Sequence, residues 1–129
     1  MSTLSVISVI DDDASVRTAT TNLLGSYGYP VQTFASAEEF LHSAELKALS
    51  CVIADVQMPS MSGLELLTHM RTRGNDAPFI FITAFPDESV RARALTAGAI
   101  CLLAKPFDAP ALISCVEAAL KRRFGGTSK

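Results

Sequence analysis

Val52-Ile53-Ala54-Asp55-Val56-Gln57-Met58-Pro59-Ser60-Met61-Ser62-Gly63 decides how the rest of the chain is read. A short run of small and β-branched residues reads as a buried strand, and it closes on one carboxylate. After Asp55 come a Pro turn and Ser62-Gly63-Leu64-Glu65, a capping box that opens a helix. An ionised carboxylate is costly to bury, so an Asp at this place belongs at the carboxyl end of a strand, facing a crevice. In open α/β sheets that crevice is where ligands bind. Asp55 is therefore the expected chemical centre.

The same punctuation repeats outward from it. Upstream, Leu4 to Ile10 reads as a buried strand ending in Asp11-Asp12-Asp13, and Asp13 fits the N-cap of a helix over 14–27. That helix carries Val16, Ala19, Leu23 and Leu24 on one face. Pro30 to Phe34 is a second strand, and Ser36-Ala37-Glu38-Glu39 opens a short helix through Ala44. The third strand is Cys51 to Ala54, followed by a helix to Arg73 with Leu64, Leu67 and Met70 at helical spacing. Downstream come a strand from Pro78 to Ile82 ending at Thr83, a helix from Asp87 to Ala97 stopped by Gly98, and a strand from Ile100 to Leu103 ending at Lys105-Pro106. Asp108 fits the cap of a last helix with Leu112, Val116 and Leu120 as its stripe. Five alternations of strand and helix predict a doubly wound, five-stranded parallel sheet with helices on both faces. Residues 1–124 form the expected domain, and 125–129 a flexible tail.

Bulk properties exclude several classes. A chain of 129 residues and 49% hydrophobic content is one globular domain. A net charge of -2 gives no footprint for nucleic acid, and no helix-turn-helix segment follows the last helix, so no nucleic-acid contact is expected through this chain. No apolar run approaches the roughly 20 residues of a membrane span, and no signal peptide is evident. No membrane partner is expected. The cysteines, Cys51, Cys101 and Cys115, are odd in number and form no C-x-x-C or Cys/His cluster. They read as free thiols in a reducing cytoplasm. His42 and His69 lie on predicted helices away from the strand ends, and Lys121-Arg122-Arg123 reads as a solvated helix end.

The residues that end the strands share one rim in such a sheet: Asp11 and Asp12, Asp55, Thr83, and Lys105. Two carboxylates about 4 Å apart repel by roughly 4 kcal/mol at an effective dielectric near 20. Three of them need protons or a cation, and Mg²⁺ suits oxygen ligands that share a shell with phosphate. Lys105 adds positive charge, and Thr83 offers one hydrogen-bond donor. A cation, an ammonium and a hydroxyl around a carboxylate suit a phosphoryl group bonded to it, because phosphoryl transfer needs mainly positioning and charge neutralisation.

Ile10-Asp11-Asp12-Asp13, Asp55 to Gly63, Ile82-Thr83-Ala84 and Lys105-Pro106-Phe107 together resemble the receiver domains of bacterial two-component response regulators, which are flavodoxin-like. The wording is most similar to receivers of the nitrogen-fixation and nodulation transcription regulators. The resemblance covers residues 4–124 and implies a strand order 2-1-3-4-5. It further implies that Asp55 accepts phosphate from a sensor histidine kinase. Mg²⁺ would be ligated by Asp12 and Asp55, by the backbone carbonyl of Gln57, and by Asp11 through water. Thr83, Ala84 and Lys105 would meet the phosphoryl group, and Lys105-Pro106 would be a cis peptide. The implied readout is the surface of the fourth helix, fifth strand and fifth helix, through an output domain, a target protein or a homodimer. Phe85 and Gln57 would flank the phosphoryl group, and a bulky Phe85 is expected to hinder attacking water.

One departure stands out. Three residues before Lys105 such receivers usually carry an aromatic that moves with the Thr, and here that residue is Leu102. It leaves open a degenerate receiver that acts as a phosphate-independent interaction module. A haloacid-dehalogenase-type phosphatase needs a second Asp two residues after the nucleophile, where this chain has Gln57. A nucleotide-binding domain lacks its G-x-G-x-x-G or P-loop here. The expectation is a signalling domain, not an enzyme.

Overall fold

A computed structural model of the chain describes residues 6–43 and 49–122. The order is β1 (Val6–Ile10), α1 (Ala14–Ser26), β2 (Val31–Phe34), α2 (Ala37–Ser43), β3 (Leu49–Asp55), α3 (Gly63–Thr72), β4 (Phe79–Thr83), α4 (Glu88–Ala97), β5 (Cys101–Ala104) and α5 (Ala109–Leu120). All pairings are parallel, and the sheet order is β2-β1-β3-β4-β5. This is the expected flavodoxin-like order. The expected 125–129 tail lies outside the described residues, as do Leu4 and Ser5 of the first predicted strand. No helix among the described residues is long and apolar enough to cross a membrane.

Strand alternation divides the core in two. Phe79 and Phe81 point to one face, where Phe34, Phe40, Leu64, Leu66, Leu67, Met70 and Ala94 bring in α2, α3 and α4. Ile80 and Ile82 point to the other, against Leu24 of α1 and Leu112, Ile113 and Val116 of α5. Burying each such Leu, Ile or Phe contributes about 1.5–3 kcal/mol relative to exposure. Both faces are covered, so the central strands read as continuous apolar runs; every residue of β3 is buried.

Caps fix the helix starts. The Asp13 side chain accepts the Ser15 N–H, and the Asp87 side chain that of Val90. Ser62 and Glu65 exchange both bonds of the capping box. At α2 the Ser36 hydroxyl accepts the Glu39 N–H, but the Glu39 carboxylate reaches past the cap to the Ala35 N–H. Asp108 makes no side-chain cap bond. Gly98 ends α4 with φ 105°, a left-handed conformation that suits glycine.

Several sequence expectations need correcting. β3 starts at Leu49 rather than Cys51, because Leu49 already pairs with Val6 of β1, and polar Ser50 is carried into the buried strand. β2 starts one residue later than predicted, with Pro30 just outside it, and β5 runs Cys101–Ala104. In α1 it is Thr20, not Ala19, that is buried; its hydroxyl donates to the Val16 carbonyl at 2.7 Å, which removes the cost of burying it. Cys101 and Cys115 are not free thiols. They are paired as a disulfide, because β5 and α5 pack with those Cα atoms 6.2 Å apart, within disulfide reach. Cys51 alone is free among the described cysteines, and burial pushes its thiol up to about 12.

Candidate functional site

Parallel strands end on one rim, so four strand ends bring their side chains together. Asp11 follows β1, Asp55 closes β3, Thr83 closes β4, and Lys105 follows β5. Asp11 and Thr83 are fully buried, Asp55 is nearly so, and Asp12 is exposed. Each of Asp11, Asp12 and Asp55 offers one oxygen in a group that lies within 4.8 Å.

The Lys105 ammonium closes this cluster. Its Nζ lies 2.8 Å from Asp55 Oδ2, to which it donates a hydrogen bond, and 3.0 Å from Asp11 Oδ2. Asp11 Oδ2 is buried, with the Lys105 ammonium as its ion-pair partner. The other carboxylate oxygens are tied to the backbone. Asp11 Oδ1 accepts the Asp13 N–H at 2.9 Å, and Asp55 Oδ1 accepts the Gln57 N–H at 3.0 Å. Arg17 reaches back from α1 to donate to the Asp11 carbonyl at 2.6 Å.

The electrostatics follow from these neighbours. Burial raises the Asp11 carboxyl above its ordinary range, against the lowering pull of the Asp13 N–H and the Lys105 ammonium. Burial pulls the Lys105 ammonium down, but the carboxylates of Asp55 and Asp11 outweigh it and leave it raised. Three carboxyl groups thus share one ammonium. An all-oxygen donor set, with one oxygen from each of Asp11, Asp12 and Asp55 within 4.8 Å, fits a hard divalent ion.

The other half of the rim is neutral. Thr83 Oγ1 donates to Gln57 Oε1 at 2.6 Å and accepts the Phe85 N–H at 3.0 Å. Ala84 and Phe85 follow β4 and are exposed. Leu102 is buried in the cluster that holds Phe81, Ala94 and Ala99. The Lys105–Pro106 peptide is cis.

Residues 7–117 match the family model of the response regulator receiver domain. The chain belongs to that family.

Its relatives agree. The chain is 39% identical over 117 residues to response regulator protein TodT of Pseudomonas putida, covering 91% of this chain and 52% of that protein. It is 39% identical over 121 residues to nodulation protein W of Bradyrhizobium diazoefficiens, covering 94% of this chain and 53% of that one. The solved structure of response regulator StyR superposes with a TM-score of 0.86 at 39% identity, over 92% of this chain and 60% of that one. The chain thus spans about half the length of the curated relatives it matches.

Of the residues singled out from the sequence, Asp11, Asp12, Asp55, Thr83, Ala84 and Lys105 lie at this rim, whereas Leu102 is buried in the core. Three features were not foreseen. Gln57 is expected beside the phosphoryl group with its backbone carbonyl on the ion, yet its side chain holds Thr83. Arg17 buttresses the Asp11 backbone. Gly63 is small because its neighbours demand it: a Cβ there would collide with the Asp55 carbonyl oxygen and lie 2.9 Å from the Phe81 ring. Only the last had a sequence signal, a Gly at the first position of a helix.

Proposed function

We propose that Asp55 is the phosphoacceptor of this receiver and that a sensor histidine kinase supplies the phosphoryl group. The observation that carries this reading is the nearly buried Asp55 carboxylate with an ammonium 2.8 Å away and two further carboxylates beside it. In the transfer a carboxylate oxygen of Asp55 forms a bond to phosphorus as the P–N bond of a kinase phosphohistidine breaks. Lys105, already bonded to Asp55, follows the charge onto a phosphoryl oxygen. Thr83 donates its hydroxyl hydrogen to a second oxygen, and the Ala84 N–H faces the same group. Asp12, Asp55 and the Gln57 carbonyl, with Asp11 close by, would hold Mg²⁺, which would supply charge neutralisation for the transferred group.

Phosphorylation then biases a two-state equilibrium that is read at α4, β5 and α5. The readers are an output domain or target protein, or a second copy of the chain. That the relatives are about twice as long supports an output domain in the full protein. The complete acidic set with Thr83 and Lys105 disfavours a degenerate, phosphate-independent module.

Incubation with a small phosphodonor and Mg²⁺, followed by intact mass, tests the reading. One phosphoryl adduct is expected on the wild type and none on Asp55→Asn. No adduct on the wild type at any Mg²⁺ concentration would refute it.

A further inference from the structure

We infer that Gln57 is a positioning residue whose carboxamide latches the switch hydroxyl of Thr83 in the resting state. The inference rests on the phosphoacceptor reading above. A hydroxyl has one proton to give, and Thr83 gives it to Gln57 Oε1 at 2.6 Å. Its oxygen is also engaged, by the Phe85 N–H at 3.0 Å. A hydroxyl so occupied has nothing to donate to a phosphoryl oxygen on Asp55. Uptake of the group must first break the bond to Gln57, so the carboxamide competes with the phosphoryl oxygen for one proton.

The surroundings support a latch rather than incidental contact. The Gln57 backbone is anchored, its N–H held by Asp55 Oδ1 at 3.0 Å, so the side chain swings from a fixed point on the phosphoacceptor itself. A groove of about 500 Å³ opens beside it, lined by Met58, Pro59, Val90 and Arg93, and it offers the released carboxamide room against α4. On the β5 side Leu102 is packed among apolar residues and has no polar atom to offer Thr83. The partner that senses Thr83 in this chain thus lies on the β3–α3 loop.

Beryllofluoride, a phosphoryl mimic, and Mg²⁺ provide the test by titration of the whole chain. Gln57→Met keeps the length of the side chain and its backbone carbonyl but removes the amide acceptor. It should bind beryllofluoride about three- to fivefold more tightly, the scale of one solvated hydrogen bond. In a Thr83→Ala background the same substitution should have no effect, whereas in Thr83→Ser, which keeps the hydroxyl, the gain should return. A merely structural role for Gln57 would not depend on that hydroxyl. Gln57 is exposed, so the variant should fold, and Gln57→Leu is a second variant of similar shape. Wild-type uptake with unaltered affinity in both variants overturns the latch alone. A wild type that takes up no beryllofluoride overturns the phosphoacceptor reading and the latch with it.

Discussion

The two halves of the rim are built from different physics. Toward β1 and β5, Asp11, Asp12, Asp55 and Lys105 form a cluster governed by charge. Toward β4, Thr83, Gln57 and Phe85 are joined by neutral hydrogen bonds, and Leu102 behind them is apolar. Leu102, the one departure read from the sequence, lies on the neutral side. The difference teaches where tolerance lies. A buried charge deprived of its partner is costly, so that half admits few substitutions. A neutral hydrogen bond is a small net gain, and alternatives to it can be built.

The largest effect should come from removing the central charge. Lys105→Met should slow phosphoryl uptake from a small phosphodonor about a hundredfold, the scale of losing one charge stabiliser of a transferring group. In the same assay Thr83→Ala should cost only about three- to tenfold. Equal losses would erase the distinction between the halves. Gly63→Ala tests the joint they share, because its Cβ would press on the Asp55 carbonyl and the Phe81 ring. Urea unfolding should show about 1–3 kcal/mol of lost stability, and a neutral result would show that the loop has room to shift.

A metal titration sharpens the contrast further. Mg²⁺ at tenfold its Kd should stabilise the wild type by about 1.4 kcal/mol, and Asp12→Asn should lose most of that gain. Burial makes Asp11 hold its proton above the ordinary 3.8, and a protonated carboxyl attracts a cation less, directly or through water. The gain should therefore shrink as pH falls, with the decline beginning above 3.8. Thr83→Ala should leave it intact, and a gain that stayed constant on acidification would contradict the role given to Asp11. The smallest expected effect is at Phe85, which is 67% exposed beside Thr83. Phe85→Ala should hasten loss of the phosphoryl group about two- to fivefold, a barrier change below about 1 kcal/mol. An unchanged rate would mean that the ring does not screen water.

Most of the fold was legible because buried parallel strands leave unbroken apolar runs, and Gly, Pro and capping residues mark the ends. The strand-end rule then places Asp11, Asp12, Asp55, Thr83 and Lys105 on one rim. The rest depended on contacts that no period encodes. Ser50 and Thr20 are buried polar residues, satisfied or tolerated only by their surroundings, so pattern reading put them outside the core. The Cys101–Cys115 pairing follows from β5 packing on α5, a tertiary fact invisible in a spacing of 14 residues. Gln57 and Thr83 are 26 positions apart and meet only because β3 and β4 are neighbours. The family pattern pointed to Gln57 as a flank of the phosphoryl group and to the missing aromatic at Leu102, and neither clue leads to a bond with Thr83.

Chemical mapping of the phosphorylated residue is the most direct test of the central claim. Borohydride reduces an aspartyl phosphate to homoserine, and peptide sequencing by mass then locates the change. After treatment with phosphodonor and Mg²⁺, homoserine is predicted at position 55, with Asp11, Asp12 and Asp13 unaltered. Homoserine at one of those three, or none in a chain that carries the phosphoryl adduct, would contradict the assignment of Asp55.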